Sequence, residues 1–188
     1  MNASLIQQLK ALLPNKVIDR HEDLSERRFD RWCIKHYRDW QAQAIDSPAC
    51  IVRPTRTKDV QVLMRFASEH SVSVVPFGLG SGVCGGIEPS SQDILLDIGN
   101  MKTASEINTT DLLATFEAGL NGLDAEHAVA KHGLTIGHWP QSIAISSVGG
   151  WVSTRASGHF STAYGIIEDI IFALEVGLPN DAIVTLGN

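Results

Sequence analysis

Pro76-Phe77-Gly78-Leu79-Gly80-Ser81-Gly82-Val83-Cys84-Gly85-Gly86 is the stretch on which the fold turns. It opens with the first glycine of the chain: none of the 16 glycines precedes Gly78. Charge divides at the same point. Residues 1–77 carry 12 Lys and Arg against nine acids, a net +3. Residues 78–188 carry only Lys102, Lys131 and Arg155 against 12 acids, a net −9. Backbone chemistry takes over from side-chain chemistry at Gly78. Whatever the second part binds, it does not bind it with a basic patch.

Gly80, Gly82 and Gly85 satisfy G-x-G-x-x-G behind a predicted strand, which raises a Rossmann dinucleotide site. Such a site needs a helix that opens at the loop and receives the pyrophosphate at its N-terminus. Ile87-Glu88-Pro89-Ser90-Ser91 follows instead, and Pro89 with paired serines argues against a helix. A Walker loop fails as well, because Gly86-Ile87 stands where Lys-Ser/Thr belongs. What survives is a loop that offers successive backbone N–H groups to an anion, a nest able to hold a diphosphate without lysine. The competing reading is a tightly turning surface loop.

Upstream, Ala49–Arg53 reads as a strand, and Thr57 caps a helix with the face Val60, Leu63, Met64, Ala67. Ser71–Pro76 is a second strand, so the three form a parallel, right-handed βαβ unit. At the N-terminus, Ser4 and Gln7 make a capping box for a helix with the stripe Leu5, Leu9, Leu12, Leu13. Helical spacing also fits Ser25 to Trp40. Downstream, Asp93–Ile98 and Ala114–Ala118 read as strands, and Leu123–His132 as a helix closed by Gly133. Two more strands flank Pro179-Asn180-Asp181. The class is α+β, a small βαβ lobe leading into a larger sheet. Residues 1–47 form a helical, charged segment and 48–188 the domain proper. The strand at 183–186 is expected to expose an edge, which points to a C-terminal continuation.

The net charge of −6 disfavours a nucleic-acid platform. No apolar run approaches the roughly 18 residues of a membrane span, and the first ten residues lack a secretory profile. Cys33, Cys50 and Cys84, odd in number and widely spaced, rule out a disulfide framework, and the reducing cytoplasm fits best.

A second constellation runs from Gly137 to Gly158: Gly-His-Trp-Pro-Gln-Ser-Ile-Ala-Ile-Ser-Ser-Val-Gly-Gly-Trp-Val-Ser-Thr-Arg-Ala-Ser-Gly. Small and hydroxylated residues bring amides and hydroxyls close to a flat ligand while leaving room for its ring. The plain alternative is a helix–loop packed tightly through small residues. His138 and His159 flank this stretch, placed either for a flavin or substrate contact or for a structural hydrogen bond. Cys33-x-x-His36 is half a zinc motif and reads as packing. His127 and His132 do not share a helix face and read as surface residues. Trp32, Tyr37 and Trp40 read as a core face or a partner interface. Cys84 is a small filler in the loop, reactive if exposed.

Gly-His-x-Pro-x-Ser, then Ser-Val-Gly-Gly-Trp-Val-Ser-Thr-Arg-Ala-Ser-Gly, then Tyr164-Gly165-Ile166-Ile167-Glu168-Asp169 closely resembles the flavoprotein family of vanillyl-alcohol oxidase and p-cresol methylhydroxylase. Within it the nearest look-alikes are alkyldihydroxyacetone-phosphate synthase and the FAD-linked 2-hydroxy-acid oxidases and dehydrogenases. The resemblance runs from about Cys50 onward. It implies a PCMH-type FAD-binding fold of two α+β subdomains with the cofactor between them. On that resemblance Pro76, Phe77, Gly78, Leu79, Gly80, Ser81 and Gly82 wrap the FAD pyrophosphate. Gln141, Ser142, Ser146 and Ser147 lie along the ribityl chain and flavin ring. Thr154, Arg155, Ala156 and Ser157 complete that wall, and Glu168 approaches the adenine end.

The departures are specific. Leu79 replaces a family glycine, which a nest tolerates only at negative φ. Gly82 replaces a loop hydroxyl, and Asp181 stands at a glycine turn. Ser81 occupies the place of the histidine that tethers flavin in some relatives, and no cysteine precedes Gly149-Gly150, so FAD is expected to be non-covalent. The family adds a substrate domain that these 188 residues do not contain, so no catalytic residue is assigned and no turnover is expected of the chain alone. The implied activity is hydride transfer to the flavin from a hydroxyl-bearing carbon of a small-molecule substrate. An ether-forming transferase like the synthase and a non-catalytic fragment stand as alternatives.

Overall fold

The computed structural model describes residues 1–187. Its largest sheet has the order β1 (Val17–Ile18), β2 (Cys50–Val52), β4 (Ile94–Asp97), β3 (Val74–Phe77). β1 is antiparallel to β2, whereas β2 and β3 both run parallel to β4, with Ile51 and Val75 each opposite Leu95. The expected strand–helix–strand unit is present, with α4 (Thr57–His70) between two parallel strands. Its strands are not neighbours, because β4 fills the gap. All four β4 residues are buried, and so apolar a strand belongs at the centre of a parallel sheet. Three strands of this sheet precede the glycine loop and β4 follows it, while the strands after β4 form only two-stranded ribbons. The expected order of small lobe then larger sheet is reversed.

Leu9 and Leu13, from α1 (Ala3–Leu12) and its C-cap, pack with Leu63 and Phe66 of α4 on Cys50, Val52, Ile94 and Leu96. Ile51 and Leu95 point the other way and are equally buried, so the central strands are covered on both faces. Full burial of each large aliphatic contributes about 1.5–3 kcal/mol. The cap of α1 is Asn2, not Ser4: its Oδ1 accepts from Leu5 N at 2.9 Å. Thr57 does not cap α4 either. Arg56 holds the cap position without a side-chain bond, and Asp59 accepts from Thr55 N at 3.0 Å.

The helix expected over 25–40 is broken into α2 (His21–Glu26) and α3 (Cys33–Trp40). Asp30 sits in the break, buried, and its carboxylate accepts from Trp32 N at 3.0 Å and Gly86 N at 2.9 Å. A side-chain acceptor has displaced helical pairing. Tyr37 and Trp40 are exposed and lie against each other, so they form no core face.

Beyond the sheet come β5 (Ala104–Asn108), β6 (Leu113–Phe116) and α5 (Gly122–Ala130), whose cap Asn121 accepts from Leu123 N at 2.9 Å. A 3-10 turn at Ile143–Ile145, α6 (Val148–Ser153), α7 (Ser161–Tyr164) and α8 (Ile167–Ile170) follow. Ile143, Trp151 and Ile167 are their shared core. β7 (Ala173–Gly177) and β8 (Ile183–Gly187) form an antiparallel hairpin, so the last strand is paired along its length rather than left without a partner. Asp181 turns it at φ +63°. The hairpin docks on α4 through Thr57 Oγ1 to Glu175 (2.7 Å), Gln61 Nε2 to Asp181 O (2.9 Å) and an Arg65–Asp181 ion pair.

Candidate functional site

β3 delivers Phe77 to the glycine loop, and no helix forms between Gly78 and β4. The exclusion of a Rossmann site holds. Gly80 and Gly85 take φ of +66° and +76°, while Leu79 is not among the positive-φ residues, so its side chain costs the loop nothing. Pro76, Leu79 and Gly82 are exposed, and Phe77, Gly78, Gly80 and Ser81 half-buried. The N-terminal segment braces the loop from outside. Arg31 N donates to Gly82 O at 2.8 Å, Asp30 receives the Gly86 amide, and Lys35 pairs with Glu88. A Cβ on Gly85 would stand 2.7 Å from the Trp32 ring.

The second constellation is set by buried hydrogen bonds. Trp151 Nε1 donates to Ser146 Oγ at 2.7 Å, and Ser146 Oγ donates to Ser142 O at 2.8 Å. The Ser146 hydroxyl is therefore spent inside the protein. Ser147 caps α6, its Oγ accepting from Gly150 N at 3.2 Å. Gly149 N and Val148 N donate to Ala118 O (2.8 Å) and Leu120 O (3.0 Å), tying the turn to the end of β6. Gln141, Thr154 and Ser157 are exposed, and Thr154 Oγ1 returns to Gly150 O at 2.8 Å. Ala156 packs into the Trp151 cluster.

Arg155 takes φ +52°, an uncommon value for a non-glycine residue. Its guanidinium grips Glu168 in a fork, Nε and Nη2 at 2.6 and 2.8 Å. Hydrogen bonding to Arg155 holds the Glu168 carboxyl below the usual carboxylate range. Two residues that the resemblance put at opposite ends of a cofactor are thus direct partners.

The two loops meet. A Cβ on Gly78 would lie 2.3 Å from Ser147 Oγ, so only glycine lets the first loop approach the second. His138 lies beneath, fully buried and edge-on to Trp151 at 4.7 Å, with neither ring nitrogen hydrogen-bonded. Burial pushes its pKa down and keeps the imidazole neutral. The His159 ring makes no hydrogen bond among the described residues either, and only its backbone N–H is engaged, donating to Trp139 O at 2.8 Å. His127 and His132 are exposed. His36 packs edge-on against Phe29, and no metal-binding group of three or more His, Cys, Asp or Glu occurs among the described residues. Sequence reasoning missed Arg27, Arg53 and Asp97, which line a cleft beside Gly78. They come from separate elements, and no local spacing links them.

A glycine-rich loop presenting backbone amides, touching a turn of hydroxyls and amides, fits a ligand that is anionic in the middle and flat at one end. The fold and the paired loops define a dinucleotide-binding domain of the flavin type. The chain belongs to the FAD binding domain family, which matches residues 48–187, and FAD is the cofactor of that domain. It is 37% identical over 160 residues to the alkyldihydroxyacetonephosphate synthase of Trypanosoma brucei brucei, covering 80% of this chain and 26% of that protein. Identity to the glycolate oxidase subunit GlcD of Bacillus subtilis is 33% over 140 residues, 74% of this chain and 30% of that one. A solved alkyldihydroxyacetonephosphate synthase superposes on 100% of this chain and 36% of its own, with a TM-score of 0.90 at 29% identity. The chain spans between a quarter and two fifths of the length of these relatives. No helix of the described residues is long and apolar enough to cross a membrane.

Proposed function

We propose that this chain is the FAD-binding portion of an oxidoreductase acting on a hydroxyl-bearing carbon of a small 2-hydroxy-acid-type substrate. The observation that carries the reading is the contact of Gly78 with Ser147, which makes one site of two loops distant in sequence. Backbone amides from Gly78 to Gly82 hold the diphosphate, with Pro76 and Phe77 leading into them. Gln141, Ser142 and Ser147 flank the ribityl chain and ring, while Ser146 fixes the turn from within. Thr154, Arg155, Ala156 and Ser157 extend that wall, and Arg155 orients Glu168. Bound FAD supplies a two-electron acceptor, and this chain's residues contribute binding and orientation. Residues 48–188 are the FAD-binding unit, with residues 1–47 as its brace. Three unpaired cysteines support a reducing, cytoplasmic setting.

A second reading, an ether-forming FAD-dependent transferase, is favoured by the 37% identity to the trypanosomal synthase. Calorimetry with FAD and with NAD tests the cofactor site: FAD is expected to bind and NAD not, and the reverse result refutes the reading. In a version extended to the relatives' length, anaerobic bleaching of the flavin by D-2-hydroxy acids separates oxidoreductase from transferase.

A further inference from the structure

Beside the glycine loop lies a cleft of about 460 Å³, lined by Arg27, Arg53, Phe77, Gly78, Leu79 and Asp97 among others. It opens at the carboxyl ends of three parallel strands: Arg53 follows β2, Phe77 ends β3 and Asp97 ends β4. In open sheets with parallel strands, that edge is where ligands are held. Asp97 is buried and fully engaged. Its Oδ2 accepts from Arg27 Nε at 2.9 Å and Arg53 Nε at 2.8 Å, and its Oδ1 accepts from Gly99 N at 3.0 Å. Both guanidinium groups are thereby fixed through Nε, and no terminal nitrogen of either is hydrogen-bonded to the shared carboxylate. Arg27 Nη1 reaches the largely exposed Glu26 at 3.2 Å, while Arg53 makes no other side-chain hydrogen bond among the described residues.

Two carboxylates, Asp97 and Glu26, balance the two arginines, but Glu26 is 72% exposed and reaches only Arg27. Arg53 shares the buried Asp97 with Arg27 and has no carboxylate to itself, beside a loop that has no cation of its own. We infer that Arg27 and Arg53, positioned by Asp97, form the cationic wall of the diphosphate site, complementing the amide nest at Gly78–Gly82. This rests on the FAD reading above. It also accounts for the charge division of the chain: the half before Gly78 supplies the cations that the glycine-rich half lacks. A guanidinium both charges and orients, since its planar fork matches phosphate oxygens, whereas a lysine supplies only a point charge.

The test is titration of the 188-residue chain with FAD, ADP and riboflavin across a range of salt, for wild type, R27Q, R53Q and R53K. Charge-assisted bonds of this kind predict a loss of about tenfold in FAD and ADP affinity for each glutamine variant, with riboflavin binding unchanged. The salt dependence of FAD binding should flatten in the same variants, and R53K should fall between. Melting curves identify variants that remain folded. Should R27Q unfold through loss of its tie to Asp97, R53Q and R53K decide alone. Should all three unfold, wild-type FAD binding must be salt-sensitive and riboflavin binding insensitive, and equal sensitivity overturns the inference. Folded variants with wild-type FAD affinity also overturn it and leave the FAD reading standing. A wild-type chain that binds neither FAD nor ADP overturns both.

Discussion

Burial acts on Cys50, Asp59 and His138 in three different ways. The Cys50 thiol, in the sheet core, is pushed up to about 12 by desolvation and is inert, leaving Cys33 and Cys84 as the exposed thiols. His138 is driven toward the neutral form. Burial raises the Asp59 carboxyl, but hydrogen bonds from Lys16, the Thr55 amide and Arg56 outweigh it and hold the pKa at about 2, against an ordinary 3.8. Because the folded value lies below the unfolded one, the group stabilises the fold above pH 3.8, and that contribution drains away as pH falls toward 2. The difference is worth about 2 kcal/mol. Urea unfolding should therefore show stability dropping between pH 4 and pH 2 in the wild type, and D59N should be less stable at pH 6 with a flatter acid limb. A D59N limb as steep as the wild type's would assign the acid loss to other groups.

At the scale of elements, local chemistry was legible and long-range pairing was not. The strands at 50–52, 74–77 and 94–97, the helix over 57–70 and the terminal hairpin all carry their signals within a few residues. The insertion of β4 between β2 and β3 has no local signal, because it depends on which strand gains most from double-sided burial. Asp30 is a similar case: helical spacing runs through it, but its acceptors' partners include Gly86, which is distant in sequence. The glycine loop and the second constellation were readable as backbone-presenting stretches, yet their contact at Gly78 and Ser147 was not. That contact makes Gly78→Ala informative. The new methyl would displace Ser147 Oγ from Gly150 N, and loss of that cap costs about 1 kcal/mol. FAD affinity should fall by tenfold or more as the loops separate, by fluorescence titration. The double variant G78A/S147A should recover part of the loss, a coupling expected only of residues in contact. Gly86→Ala meets nothing within 4 Å and should behave as wild type. Equal losses for G78A and G86A would show that the loop binds no cofactor through this approach.

Across the whole molecule, the site depends on bracing from both ends of the chain. Residues 30–35 hold the outer side of the glycine loop, and the β7–β8 hairpin fastens the last strands to α4. The first loop is held by residues 30–35 and the second by its bonds to Ala118 and Leu120, so the site is pre-formed and the cofactor need not be tethered to stay. A tether would require an activated nucleophile at the flavin ring, and the candidates fail individually. On the resemblance, Ser81 stands at the tethering position, but a serine hydroxyl remains protonated without an adjacent base. Ile145-Ser146-Ser147-Val148, ahead of Gly149-Gly150, contains no cysteine, and the Ser146 hydroxyl is already committed to Trp151 and Ser142. His138 is buried against Trp151 and burial favours its neutral form, and Cys84, though exposed, belongs to the loop proposed to hold the diphosphate. FAD should therefore be released intact when the loaded protein is precipitated in acid, with the yellow colour in the supernatant. The precipitated chain should then show the mass of its sequence alone. Colour retained by the pellet, or a mass increased by one flavin, would show a covalent bond and place an activated nucleophile at the ring.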